Sequence, residues 1–446
     1  MLNYVINFRN SQTYRKVLAI LLFFFILSLF FPIRHVFLTK ESYFTGIYSD
    51  FTSFSLYLSD ILLFCLGVLI ILPRGRDFYH VVNPLKWLIL WLILVFIIHF
   101  TLNTGLELYF LIKWAELIVA YGTLVLIFKE NAIKEPFLRL FAWFCGLQSV
   151  IALIQFTDQS PLGLFKVGES HIGPAILGVA KIVSGGTTFI RGYGTFPHPN
   201  PLSAFLLTGT LITTYLLTTS AKVTNKLSYS LLLFLNILGL TVTFSRGAYL
   251  TLAIGLIIFF GFLFFRHPKT ILAPVVVVLI SLGVSFLLFK PFLLTRATFS
   301  DQSTIDRKFY DQAGVKMAEK NPIFGVGLGE SVLMMENYAQ KTLAPWDKQP
   351  PHNYFIIAAA ELGIPAIIFL IWFFLNHFRQ LVKKLRSGNN LQLTTYNLLL
   401  TTILICFLVL MQFDHYFYDI EQTKLLLWTM LALIAAQTKN PQVGDS

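Results

Sequence analysis

Charge is scarce in this chain. Asp, Glu, Lys and Arg together make up 13% of its 446 residues, about half the share of an ordinary soluble domain. With 56% of residues apolar, a soluble domain has no way to bury them all. Cysteine is almost missing: Cys65, Cys145 and Cys406 all fall within apolar runs, which excludes a CxxC-type metal cluster and a stapled loop. There is no HExxH, no phosphate-binding loop and no paired-glycine nucleotide fingerprint. The loops hold no early acidic cluster such as an Asp-x-Asp pair, so no metal ion is expected to clamp phosphates. No cofactor is expected either. Nucleic-acid motifs are absent, so the net charge of +12 is no sign of a nucleic-acid partner.

What is present is a succession of apolar stretches of membrane-crossing length. They predict an all-α, polytopic integral membrane protein with about twelve spans. The spans are Val17–Phe31, Leu56–Leu72, Leu85–Ile98, Leu106–Phe128, Phe137–Phe156, Pro201–Thr219, Ser228–Val242, Gly247–Phe265, Ile271–Phe289, Asn353–Asn376, Leu393–Met411 and Gln422–Ala436. The opening, Met1 to Lys16, is too long and mixed for a tidy secretory signal. No small-residue cleavage site follows the first span, which is therefore expected to stay as an anchor.

Basic residues give this arrangement a direction. With both termini cytoplasmic, 18 of the 34 basic residues fall in short cytoplasmic connections and tails, as membrane insertion favours. They include Arg9, Arg15 and Lys16, Arg74 and Arg76, Lys222 and Lys226, Arg379 to Arg386, and Lys439. Two long segments then face outward, Thr157 to Asn200 and Lys290 to His352. The first holds His171–Val183, too short to cross and expected as a re-entrant or interfacial helix. The second holds Thr304–Lys320, expected as an amphipathic helix that stops before Asn321-Pro322.

Arginine and histidine gather where the outward segments re-enter the membrane. Arg191 lies in RGYGTFPHPN, where Gly192 and Gly194 permit close backbone approach and His198 and Asn200 offer directional polar groups. Arg246 lies in TFSRGAYL, in a connection so short that its charge is held against two helix ends. A guanidinium forks to phosphate oxygens through parallel donors, so two of them could clamp a pyrophosphate without a metal. Each is equally readable as an interfacial anchor to lipid phosphates. His352, in PPHNYF, titrates near neutrality and could take a proton from a sugar hydroxyl, with Asn353 placed to cap the next helix. Arg307 and the lysines of the amphipathic helix could hold an anionic glycan or form an ordinary solvated face. Glu107, Lys113 and Glu116 are spaced to pair within one helix side. Asp414, His415, Tyr416, Tyr418 and Asp419 crowd a short outward turn that could line an acceptor site, although aromatics at an interface are expected in any case.

At these same residues the chain resembles the O-antigen ligase and polymerase superfamily of bacterial envelope glycosyltransferases. The runs are RGYGTFPHPNPLSAFL, TFSRGAYLTL, NPIFGVGLG and PPHNYFIIAAAELGIPA, in that order between Phe137 and Leu375. The resemblance implies a multi-pass inner-membrane enzyme acting on its outward face. It would take a glycan from undecaprenyl pyrophosphate and join it to lipid A core, a lipid-linked glycan or a protein. Arg191 and Arg246 would bind the donor pyrophosphate and His352 would activate the acceptor. His198, Asn200, Arg307 and Asn353 complete the expected substrate-binding set. The segments expected are an N-terminal bundle (1–156), an outward segment (157–200), central spans (201–289), a large outward loop (290–352), and C-terminal spans with a cytoplasmic tail (353–446). A transporter or flippase for lipid-linked anions is the competing reading; it predicts charges near the midplane of broken helices.

Overall fold

A computed structural model describes residues 12–100, 104–296, 302–387 and 390–437. Arg9 and Lys439 lie outside the described residues. Within them the chain is a helical bundle carrying three two-stranded antiparallel hairpins, and ten helical stretches are long and apolar enough to cross a membrane.

Helix α1 (Gln12–Phe30) leads into a loop of two nested hairpins, β1 (Arg34–Phe37) on β4 (Phe54–Tyr57) and β2 (Tyr43–Phe44) on β3 (Ile47–Tyr48). The next apolar stretch, 42 residues long, comprises α2 (Leu58–Val82) and α3 (Lys86–His99). It folds back on itself. Pro73 lies inside α2 and Arg74 leaves the helical region (φ −132°, ψ 27°), as proline's missing donor and ring clash favour. Asp60, near its start, meets Lys113 of α4 (Thr104–Phe128), and His99, at its end, packs with Glu107 of α4 around Gly327. Arg74, in between, donates to the Leu126 carbonyl at the other end of α4. The stretch is therefore two antiparallel legs, as hydropathy alone suggests.

After α5 (Asn131–Asp158) the expected helix at 171–183 does not form. Residues 171–180 are irregular, and β5 (Lys181–Ser184) pairs with β6 (Thr187–Ile190). The reason is local: Gly173-Pro174 and Gly178 interrupt any helix, while β-branched residues flank a Gly185-Gly186 turn.

Helix α6 (Pro199–Thr219) is the axis of the bundle, buried from Pro199 to Thr218. Its threonines return their hydroxyls to the carbonyl four residues back, as at Thr208, Thr210, Thr213 and Thr214. That keeps polar groups satisfied inside an apolar bundle. Around it run α7 (Val223–Val242), α8 (Arg246–Arg266) and α9 (Leu272–Arg296). The amphipathic helix appears as α10 (Gln302–Lys320), burying Tyr310, Ala313 and Met317. The short α11 (Met335–Ala339) follows.

The expected span Asn353–Asn376 is not one helix. It is α12 (Tyr354–Leu362), too short to cross, and α13 (Ile364–Ser387), separated by Gly363 at φ +79°. Pro365, just inside α13, cannot continue the preceding helix. The carbonyls freed at the break are taken up by neighbouring chain. Val326 N–H donates to Ala360 O (2.8 Å), Gly327 N–H to Glu361 O (3.2 Å) and Trp91 Nε1 to Leu362 O (2.9 Å). Buried backbone acceptors are thus matched one by one. The chain ends with α14 (Leu391–Leu410), the one-turn α15 (Tyr416–Asp419) and the buried α16 (Glu421–Ala435). Helix α16 coincides with the span expected over Gln422–Ala436 to within one residue at each end, and at 15 residues it is not among the ten stretches long enough to cross.

Candidate active site

The run after β6 threads between α5 and the end of α7. Gly192 donates to the Val242 carbonyl (2.8 Å), and a side chain there would press on Ala152 and Val242. Gln155 of α5 accepts from the backbone N–H of Tyr193 and Gly194, and Gln148 from that of Thr195. These two buried glutamines settle a polar backbone inside the bundle. They also fix Arg191, which is only 5% exposed. Its Nε donates to the Thr243 carbonyl, in the connection between α7 and α8, and Nη2 to Asn200 Oδ1 (2.8 Å).

Arg246, the first residue of α8, faces a cavity of about 750 Å³. Across it stands α10 with Arg307, Lys308 and Asp311; His352, Gln412 and Phe413 complete the wall. Arg246 reaches Thr304 of α10 (3.2 Å). Behind His352 lies Asp414, in the turn after α14. Its Oδ2 accepts from Asn200 Nδ2 (2.6 Å) and meets Arg307 at 3.4 Å. Its Oδ1 accepts from the His415 backbone and lies 3.6 Å from His352 Nδ1. One carboxylate therefore ties Arg191, through Asn200, to Arg307 and His352.

Burial opposes ionisation of Asp414, but His352, Arg307 and His415 overcome it and hold the carboxyl far below its usual range. Burial lowers His352 despite Asp414, so its ring stays neutral near pH 7. Burial also lowers His415, yet Asp419, 2.7 Å away, and Asp414 more than compensate and raise it. Desolvation, aided by Arg296 at the end of α9, brings Arg191 down to about 9. Such an arginine gains more than an exposed one from an arriving anion.

The residues singled out in the sequence divide accordingly. Arg246, Arg307 and His352 line the cavity. Arg191 and Asn200 form the network behind it. His198 caps α6, its Nδ1 accepting from Asn200 N–H (3.1 Å), and burial drives it down to about 3. Asn353 caps α12 through Phe355 and Ile356, and its amide donates to Gln412. Lys113 pairs with Glu116 (3.0 Å), and also with Asp60 and Glu421; Glu107 instead sits by Gly327. The sequence offered Asp414 only as one of several residues in a turn that could line an acceptor site; its ties to Asn200, Arg307 and His352 emerge from the fold.

Among the described residues, two acidic or histidine clusters could bring ligand atoms together: Asp60, Glu116 and Glu421, and His352, Asp414 and His415. The ammonium of Lys113 already sits among the first three. In the second, Arg307 and Asn200 hold the other carboxylate oxygen, and the surrounding arginines oppose an added cation.

Residues 231–371 match the family model described as O-antigen ligase. That segment of the chain is similar to O-antigen ligases. The match supports the O-antigen ligase and polymerase superfamily, and with it glycan transfer of the ligase or polymerase type at family level. The matched segment includes Arg246, Arg307 and His352 and begins after Arg191. No curated protein matches the chain.

Proposed function

We propose that the chain moves a glycan from an undecaprenyl-pyrophosphate carrier to an acceptor on the extracytoplasmic face of the bacterial inner membrane, with both termini cytoplasmic. The observation that carries this reading is the shared cavity of Arg246, Arg307 and His352, with Arg191 wired behind it through Asn200 and Asp414. The acceptor hydroxyl attacks the anomeric carbon as the carbon–oxygen bond to the pyrophosphate breaks. Its proton passes to His352. Asp414, beside Nδ1, favours the tautomer that leaves Nε2 free to accept it. The departing lipid pyrophosphate develops charge against Arg246 and Arg307, and Arg191 supports the same field. Direct displacement inverts the anomeric carbon, and the arginines take the part that a metal ion would otherwise play.

The acceptor is lipid A core if the chain ligates, and a growing lipid-linked glycan if it polymerises. Transfer measured in EDTA from extracted lipid-linked glycan tests the reading. Arg246→Ala and His352→Ala are each expected to lose roughly 100-fold or more in kcat. Full turnover by His352→Ala would remove its role as base. Mass spectrometry of the product names the acceptor.

A further inference from the structure

Among the described residues, a single acidic side chain lines this otherwise cationic cavity. Asp311 of α10 shares the wall with Arg246, Arg307, Lys308, Lys316 and His352. It follows Arg307 by four residues and so stands on the same helix face. Close packing sets its distance from the histidine. Gly314 lets the Pro351 ring approach so nearly that a Cβ there would overlap it. Tyr310 lies 5.7 Å from the His352 ring, its hydroxyl anchored on the Asp347 carbonyl (2.6 Å).

Oδ1 of Asp311 is buried and has no hydrogen-bond partner. A buried carboxylate oxygen without a donor is costly, and an exception of this kind in a substrate-sized cavity calls for a ligand that brings the donor. A pyrophosphate diester cannot, since at neutral pH it has only acceptor oxygens and the same sign of charge. A sugar hydroxyl can.

We propose that Asp311 is an acceptor-binding carboxylate: its free Oδ1 takes a hydrogen bond from a hydroxyl of the acceptor glycan and holds that sugar beside His352. This rests on the glycan-transfer reading and divides the cavity. Arg246 and Arg307 serve the donor pyrophosphate, and Asp311 with His352 serves the acceptor. Burial pushes the Asp311 carboxyl up to about 6, with the His352 backbone N–H, Arg307 and His415 pulling against it and Asp414 adding to it. The ionised form accepts hydrogen bonds best, so acceptor KM should fall as pH rises through about 6.

The test uses the full chain in lipid nanodiscs, with undecaprenyl pyrophosphate as the donor-site probe and extracted lipid-linked glycan and acceptor for turnover. Asp311→Asn is expected to raise acceptor KM about tenfold or more, flatten its pH dependence, and leave undecaprenyl pyrophosphate affinity within about twofold. Asp311→Glu should recover part of the loss. Glu319→Gln, an exposed carboxylate on the same helix that does not line the cavity, should stay within about twofold throughout. An unmoved acceptor KM in Asp311→Asn overturns the inference, as does a fall in undecaprenyl pyrophosphate affinity that matches the rise in KM. Failure of the unmodified chain to transfer any glycan overturns the underlying reading as well.

Discussion

At the scale of single residues, Asp414 bears the heaviest demand, because four groups depend on one carboxylate. Asp414→Asn keeps the shape but removes the charge that faces Arg307, His352 and His415. It should cost roughly 1–3 kcal/mol in unfolding stability near pH 7, with a larger loss of transfer as His352 loses its orienting partner. The pH dependence has a definite sign. A carboxyl whose folded pKa is depressed adds stability above its unfolded value, near 3.9, and loses it as pH falls toward the folded one. Melting midpoints should therefore converge for the native and Asp414→Asn proteins as pH drops below about 4; a constant gap down to pH 3 would contradict the linkage. Sequence reading found the cavity's Arg246, Arg307 and His352 because arginine and histidine between apolar spans are costly and stand out. It named Asp414 only among the residues of an aromatic turn that could line an acceptor site, and not as the carboxylate behind His352. Only the fold brings it to Asn200, 214 residues away. Gln148 and Gln155 were hidden likewise, as uncharged residues inside an apolar run.

At the scale of elements, apolar periodicity located the helices, and the failures share one physical cause. Hydropathy counts methyl groups but is blind to backbone conformation. Asn353–Asn376 is apolar throughout apart from Glu361, yet Gly363 and Pro365 split it, and the loop at 325–327 satisfies the carbonyls exposed by the break. At 171–183 glycines and a proline likewise outweigh apolar content. Gly363 is thus a test of the fold. A side chain at φ +79° is strained, and a Cβ would overlap the Ile323 carbonyl. Gly363→Ala should lose about 1–3 kcal/mol from backbone strain alone, and more from the overlap. Reduced thermal stability and yield after solubilisation would report it. Gly283, inside α9 with nothing within 4 Å of a Cβ, is the control. Gly283→Ala should be neutral or slightly stabilising, so equal losses at both sites would remove the special claim for Gly363.

At the scale of the whole molecule, the question is which face meets the lipid-linked glycan. The helix path puts the hairpin loop after α1, the RGYG run, α10 and the α14–α15 turn on one face. The α6–α7 and α8–α9 connections, which carry Lys222 and Lys269, lie on the other, as does Lys226 in the first turn of α7. Cations retained in short connections oppose translocation, so the cavity face is expected outside. Site-specific labelling decides it. Thr342 and Lys222 are both exposed, on opposite faces. In a background with Cys65 replaced (Cys145 and Cys406 being buried), Thr342→Cys should react with a membrane-impermeant maleimide in intact spheroplasts. Lys222→Cys should react only after permeabilisation. The reverse pattern would put Arg246 and His352 at the cytoplasmic surface, where a glycan already flipped outward could never reach them.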